Sequence, residues 1–300
     1  MNTFQEIAST ISGLADRLGP AVVRIQGGWR GASGIVMTAG QVLTNAHNVR
    51  GEEVHVTFHD GRTAKGTLAG VDADGDLAVV LVDTGEIQPI EWQDGEAATL
   101  GTPVFALSAS GEGSRITFGL VSSVARAFRG PRGRRISGSI EHTAPMARGS
   151  SGSALLDGQG RLVGLNTNRV GGGFYLALPA DGTLRSRVEA LAKGETAVRP
   201  RLGVGIAPGH AARRMRRAVG LPERDGLLVR DVEEGSPAAR AGIAQGDLLV
   251  SAGGQALSTA DDLYDVLATI DPAGKVELVI VRGAEERTVS VDLAGTPAAG

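Results

Sequence analysis

From Ala21 to about Ala180 the chain is cut into apolar stretches of four to six residues, each closed within a few positions by Gly, Asp or Asn. Stretches this short cannot sustain an isolated helix, but they match the ordinary length of a strand. Val22–Ile25, Gly34–Met37, Gln41–Thr44 and Val54–Phe58 read as strands. So do Leu77–Val82, Val104–Leu107 and Arg161–Leu165. Many short strands between frequent turns imply closed β-barrels or a sandwich. With 300 residues, the chain is also too long for a single core of the commonest size, and two domains are expected.

The flanks read differently. Residues 1–20 form an amphipathic helix: Phe4, Ile7, Ile11, Leu14 and Leu18 line one face, Thr3 and Glu6 offer a capping box, and Gly19-Pro20 supplies the stop. That stripe packs on its own domain, or serves as a seam for self-association. The β-rich domain occupies 21–192 and ends in a short helix, Leu184–Leu191; 193–200 is a linker. A second unit covers 201–295, with strands near Leu227–Val229, Asp247–Val250, Val276–Arg282 and Thr288–Leu293, and 296–300 is a tail. Two helices are expected in it, one opening at Ser236-Pro237 and one over Thr259–Thr269 capped by Ser258 with Asp261.

Composition excludes several classes. The chain has no cysteine, so disulfides and thiolate metal sites play no part. No set of residues has metal-ligand spacing, and no cofactor motif appears. A net charge of -3 gives no reason to expect a nucleic acid partner. No apolar run approaches the ~20 residues of a membrane helix, and no secretory signal opens the chain. A cytoplasmic location is the expectation that follows.

Three segments carry candidate chemistry. Hydrolysis of an amide by a hydroxyl needs a nucleophile, a base, a carboxylate to orient that base, and N–H donors where the oxyanion develops. Ser151 lies in Arg148-Gly149-Ser150-Ser151-Gly152-Ser153, where flanking glycines permit a tight turn that exposes the hydroxyl. His47 follows a strand in Thr44-Asn45-Ala46-His47-Asn48-Val49, and Asp76 precedes one in Asp74-Gly75-Asp76-Leu77. Alone, each has an ordinary reading as a flexible loop, a structural histidine or a turn aspartate. Their chain order, His then Asp then Ser, is that of the chymotrypsin class.

With these motifs in place, the chain resembles the HtrA/Deg family of trypsin-like serine proteases that carry a C-terminal PDZ domain. The resemblance rests on Thr44-Asn45-Ala46-His47-Asn48-Val49, on Asp76-Leu77-Ala78-Val79, and on Gly149, Ser151, Gly152 and Leu155. Gly164-Leu165-Asn166-Thr167 and Ala177-Leu178-Pro179 extend it. It implies a mainly β fold: a two-barrel trypsin-like serine protease domain followed by a small α+β PDZ domain. His47, Asp76 and Ser151 would be the triad, with Gly149, Ser150 and Ser151 at the oxyanion hole. Pro145, Asn166, Thr167, Asn168 and Arg169 would border the substrate cleft. The resemblance further implies polypeptide substrates, peptide C-termini bound at the PDZ domain, and a homotrimer.

In the second unit, Arg201-Leu202-Gly203-Val204 resembles the carboxylate-capturing loop of PDZ domains, and Ser236–Ile243 with Gly246-Asp247 is its most recognisable stretch. Leu202, Gly203, Val204 and Ile206, facing Leu263 and Leu267 of the second helix, would form the peptide groove. The same apolar residues would also suit a plain core.

Departures from the family bear on specificity. Ser150, Ser153 and Ala154 stand where Asn, Gly and Pro are usual, and these small-for-small changes leave the turn intact. Pro145 takes the place of the acid that would select Arg or Lys, since a cation there would be buried without a partner. The family's small aliphatic preference is the expectation. Arg169 stands where an apolar residue is expected and Tyr175 where glycine is, and both narrow the pocket. Arg126 to Arg135 holds five arginines and reads as a solvated loop near the cleft. His55, His59, His142 and His210 read as surface or ordinary strand positions. The alternative to a protease is an inactive PDZ-containing peptide-binding scaffold or holdase.

Overall fold

A computed structural model describes residues 3–26, 31–93, 97–111, 113–130, 135–195, 200–207, 209–218, 220–221, 224–271 and 273–294. The Thr3 cap, the side chains of Phe4 and His210, positions 196–199 of the linker and the tail lie outside what is described. The chain divides into two compact units, Met1–Thr196 and Ala197–Gly300.

Unit 1 is built from two six-stranded closed barrels. The first takes β1 (Val22–Gln26), β2 (Ala32–Thr38), β3 (Gln41–Thr44), β4 (Glu53–Thr57), β5 (Thr63–Asp72) and β6 (Leu77–Leu81), in the order β1-β2-β3-β6-β5-β4. The second takes β7 (Pro103–Ser110), β8 (Gly113–Arg129), β9 (Arg135–His142), β10 (Ala154–Leu156), β11 (Leu162–Gly171) and β12 (Phe174–Pro179). Its order, β10-β11-β12-β9-β8-β7, is the same connection pattern traversed in reverse. Each barrel closes on itself and so leaves no free edge. Val23, Ile25, Ile35, Val42 and Leu77 fill the first, and Leu107, Leu155, Leu162 and Leu165 the second, all at 1% exposure or less.

The helix α1 (Thr3–Leu18) packs on unit 1 itself: Leu14 and Leu18 are buried in the barrel core and Ile11 rests against it. A Cβ on Gly160 would stand 2.7–2.8 Å from Leu18 and Leu14, so the 157–160 turn accepts the helix only with glycine there. The exit helix α2 (Gly182–Ala192) is capped by Asp181, which accepts the Leu184 N–H at 2.8 Å, and buries Leu184, Val188 and Leu191.

Unit 2 is an antiparallel sheet of β13 (Val204–Ala207), β14 (Leu227–Val232), β15 (Leu248–Ala252), β17 (Lys275–Arg282) and β18 (Glu285–Asp292), with β16 (Gln255–Ala256) paired to β15. Its helices are α3 (Gly209–Ala218), α4 (Pro237–Arg240) and α5 (Ala260–Ala268). The first of these is an addition to the two expected. Its sequence is rich in arginine, so apolar periodicity could not announce it. The cap of α5 is Thr259 with Asp262, one position beyond the Ser258 and Asp261 expected. Asp262 wins because its carboxylate accepts the N–H groups of both Ser258 and Thr259, at 2.8 and 2.7 Å. Leu263 and Leu267, expected to face a groove, are 3% exposed and belong to the core of this unit.

The Arg126–Arg135 segment is less of a loop than expected. Strand β8 continues to Arg129, β9 starts at Arg135 and these two residues pair, leaving 131–134 outside the described residues. Arg126 is ion-paired to Glu141 on the neighbouring strand at 2.9 Å. Among the described residues no helix is long and apolar enough to cross a membrane.

Because Leu14 is 3% exposed, Leu14→Ala leaves a cavity under α1, and about 2–5 kcal/mol of unit 1 stability is expected to go with it. Urea unfolding of the two proteins measures this; an effect below ~0.5 kcal/mol would mean the helix is only loosely attached.

Candidate active site

The barrels bring the three singled-out side chains together. His47 lies in a single 3-10 turn (Ala46–Asn48) directly after β3, Asp76 in the tight turn between β5 and β6, and Ser151 in the turn between β9 and β10. His47 Nδ1 lies 2.9 and 3.0 Å from the two Asp76 carboxylate oxygens, and Ser151 Oγ lies 2.7 Å from His47 Nε2. A buried carboxylate, a part-exposed imidazole and a hydroxyl therefore form one hydrogen-bonded line.

Each member is fixed by neighbours. Asp76 is 1% exposed, and its carboxylate also accepts the His47 backbone N–H at 3.2 Å and the Thr167 hydroxyl at 2.7 Å. It has φ +56°, the one positive φ of a non-glycine among the described residues, a conformation aspartate tolerates better than most. The turn beneath is clamped: Asp72 accepts the Gly75 N–H at 2.9 Å and is ion-paired to Arg187 of α2. A Cβ on Gly75 would collide with that guanidinium. Asn45, fully buried, donates its amide to the Asp76 carbonyl at 3.1 Å, which turns its Oδ1 to within 2.8 Å of Ser151 Oγ. The single serine hydrogen thus has two acceptors, His47 Nε2 and Asn45 Oδ1.

The nucleophile turn is held from the first barrel. Ser33 N–H and Asn48 Nδ2 donate to the Ser151 carbonyl at 2.9 and 3.0 Å, and Ser33 Oγ donates to the Gly149 carbonyl at 3.0 Å. Gly152 has φ +83°, and a Cβ there would lie 2.1 Å from the Ser33 carbonyl and 2.4 Å from Thr44 Oγ1. Glycine is required at that point. Among the described residues no protein acceptor takes the N–H of Gly149 or Ser151. Ser150 differs: its N–H turns back to the Ala147 carbonyl at 3.4 Å, so the two free donors are those of Gly149 and Ser151.

The cleft residues separate into two sets. Thr167 holds Asp76, and Asn168 is part-exposed on the same strand. Asn166 is buried in the second barrel, where its amide donates to Ser153 Oγ and the Ala154 carbonyl, both at 3.0 Å, and its Oδ1 meets His142 Nε2 at 2.9 Å. It supports the nucleophile turn from inside and does not face substrate, because its side chain is fully buried and bonded to Ser153, Ala154 and His142. Pro145 is exposed, with its carbonyl accepting from Thr117 at 2.7 Å. Tyr175 is buried, stacked 5.8 Å from the His142 ring, with its hydroxyl receiving Arg169 Nη2 at 3.1 Å. The Arg169 guanidinium holds that hydroxyl below the usual phenol range. Ser33, Asn45, Asn48 and His142 were not foreseen as site residues. Among the described residues no cluster of His, Cys, Asp and Glu suits a metal ion.

A family model of the trypsin-like peptidase domain matches residues 31–165, and one of the PDZ domain matches 228–282. The putative serine protease HhoA of Synechocystis sp. is 33% identical over 297 residues, spanning 92% of this chain and 72% of the relative. The chain belongs to the HtrA/Deg family of trypsin-like serine proteases. A probable periplasmic DegP-like serine endoprotease of Halomonas elongata is 30% identical over 274 residues, 89% of this chain. The chain spans only 56% of that relative's length. Among solved structures, the HtrA-type protease AlgW with a tripeptide is 26% identical, with TM-score 0.64 over 94% of this chain and 96% of that one. The HtrA/Deg fold, two barrels and a PDZ domain, is thus that of this chain.

His142 gives this site a measurable pH signature. Burial pushes its imidazole from 6.5 down to about 4, with the Asn166 hydrogen bond opposing. The folded form keeps the ring neutral while the unfolded chain binds a proton, so stability is complete above pH 6.5 and is lost as pH falls toward about 4. The loss from this group alone is on the order of 3 kcal/mol. Urea midpoints measured from neutral pH down to about pH 4 should fall more steeply for the wild type than for His142→Gln; equal slopes would place the ring in contact with water.

Proposed function

We propose that this HtrA/Deg chain is a serine endopeptidase acting on polypeptides. The observation that carries the reading is the unbroken line from the Asp76 carboxylate through His47 to Ser151 Oγ, with separations of 2.9 and 2.7 Å. In this mechanism Ser151 Oγ attacks the scissile carbonyl carbon as His47 Nε2 takes its proton. Asp76, accepting from Nδ1, fixes the tautomer that leaves Nε2 free as base and stabilises the imidazolium. The carbonyl oxygen becomes an oxyanion facing the N–H groups of Gly149 and Ser151, whose lack of protein acceptors supports that role. Collapse breaks the C–N bond, His47 returns the proton to the departing amine, and an ester remains on Ser151. Water, deprotonated by the same imidazole, then releases the acid. Asn45 bears on the resting state: whenever the serine hydrogen turns to its Oδ1, the base is not engaged.

In the second unit, β13 is an edge strand with one side unpaired, preceded by Leu202 and Gly203. Gly203 has φ +74°, and a Cβ there would meet the Ser236 side chain at 2.3 Å, so the loop keeps its shape only with glycine. This supports uptake of a peptide C-terminus as an added strand along Val204–Ile206. Because Leu263 and Leu267 are buried, such a peptide would rely on main-chain pairing more than on pockets from α5. A trimer and a role in degrading misfolded proteins follow from family membership and belong to the same proposal.

An uncharged fluorophosphonate probe is expected to label the wild-type chain at Ser151 and to leave Ser151→Ala unlabelled. Turnover in Ser151→Ala or His47→Ala is expected to fall by about 10⁶, as in other triad hydrolases. Folded wild-type protein that resists the probe while binding C-terminal peptides would favour the inactive scaffold instead.

A further inference from the structure

The row of side chains beside the nucleophile has an unusual end. Strands β11, β12 and β9 pair so that Arg169 stands opposite Tyr175, and Tyr175 opposite His142. The row runs from a fully buried neutral imidazole, through a buried phenol, to an exposed guanidinium. Its place relative to the chemistry is fixed twice. Thr167, two residues before Arg169 on β11, touches Asp76, and the backbone of Met146, from the segment leading into the nucleophile turn, lies close enough to the Tyr175 hydroxyl to lower its pKa. The Arg169–Tyr175 pair therefore lies between β11 and the nucleophile segment, where a trypsin-like site receives the side chain on the acyl side of the scissile bond.

Two consequences follow from physical chemistry. A buried phenol in that space makes the pocket shallow, so long side chains are excluded. The pocket's rim then carries a guanidinium held by the Tyr175 hydroxyl at 3.1 Å, its carbon 5.4 Å from the ring centroid. Among the described residues no carboxylate pairs with Arg169, which is exposed, so its remaining donors are unneutralised. An apolar side chain entering there would strip water from a cation and offer nothing in return. A carboxylate would meet a pre-positioned fork of donors.

The surrounding charge agrees. From Gly113 to Leu156 the sequence carries seven arginines and a single acidic residue, Glu141, in a chain whose overall charge is -3. Glu141 is itself ion-paired to Arg126. Arg148, in the nucleophile turn, is exposed. This stretch of sequence is thus basic in an otherwise acidic protein, and a net positive charge on the barrel that carries Ser151 favours the approach of acidic chains.

The geometry points to Arg169, braced by Tyr175, as the determinant of specificity: the enzyme cleaves after acidic residues, with the substrate's Asp or Glu carboxylate bound by the guanidinium. This goes against the small aliphatic preference that family resemblance implies, and it rests on the peptidase reading above.

The test uses the intact chain and a proteome-derived peptide library, with the residue preceding each new terminus read by mass spectrometry. Quenched peptides differing only at that residue then give kcat/KM. Asp or Glu is expected to dominate and to exceed Ala by about tenfold or more, the usual worth of a hydrogen bond to a charged group. Arg169→Ala is expected to bring the acid-to-Ala ratio to about one, and Arg169→Lys to recover part of it, since a point charge lacks the fork. Arg169→Glu should turn acids from preferred to depleted relative to Ala. A wild-type library dominated by Ala, Val or Ile with acids depleted overturns the inference, as does a ratio that Arg169→Ala leaves unchanged. In both cases fluorophosphonate labelling of Ser151 would persist, leaving the peptidase reading standing. Protein that neither labels nor cleaves sinks both.

Discussion

The carbonyl of Ser151 is gripped by the barrel that does not contain it. Ser33 N–H and Asn48 Nδ2 reach it at 2.9 and 3.0 Å, Thr44 Oγ1 donates to the Ser33 carbonyl at 2.7 Å, and Asn48 also donates to Thr44 at 3.0 Å. These groups are buried, so each bond left unmade would cost about 1–3 kcal/mol in desolvation, whereas each made contributes about 1 kcal/mol. Their chief effect is therefore to define one geometry. A hydroxyl on one barrel must meet an imidazole on the other to within a fraction of an ångström, and misplacement by ~1 Å costs about a hundredfold in rate. Gly152 completes the grip, because any Cβ would push the barrels apart at that point.

The same device recurs at the carboxylate. Asp76 sits at positive φ in a turn clamped by Asp72 and Arg187, with Thr167 reaching across from the second barrel to its Oδ2. Helix α2 enters the site in this way, through Arg187, without touching the reacting groups. The catalytic line thus crosses between the barrels, Asp76 and His47 on one side and Ser151 on the other, and cross-barrel bonds lie at both of its ends.

What could be read from the residues follows a physical division. Strands whose side chains alternate or run apolar, such as Val22–Ile25 and Leu77–Val82, were legible, and the three catalytic motifs were legible because each needs fixed local chemistry. Strands β5, β8, β9, β10 and β12 were not named: β10 is only three residues long, and in β5, β8 and β9 glycines, arginines and register shifts at several bulges blur the alternation. The repeated connection order of the two barrels is hidden for a deeper reason: it resides in which strands hydrogen-bond, and no residue type encodes that. Ser33, Asn45 and His142 were missed because a buried polar side chain is meaningful only once its partner, distant in sequence, is known. Asn166 shows the converse, a residue placed in the cleft by its motif and held in the core by its bonds to Ser153, Ala154 and His142.

The neutrality of His142 closes the electrostatic argument about the cleft. A histidine stacked on Tyr175 would, if protonated, add a second cation beside Arg169. Burial and its place against Asn166 and Tyr175 keep it neutral down to about pH 4. Above about pH 4 the charge on that row is the guanidinium of Arg169 alone, and arginine does not titrate there. Under the proposed specificity, a weaker hold on an acidic side chain as pH falls would come from protonation of the substrate's own carboxyl group. The titratable group of that row is in the core and its permanent charge is exposed, so recognition by Arg169, as proposed, would be insulated from the acid-sensitivity of the fold.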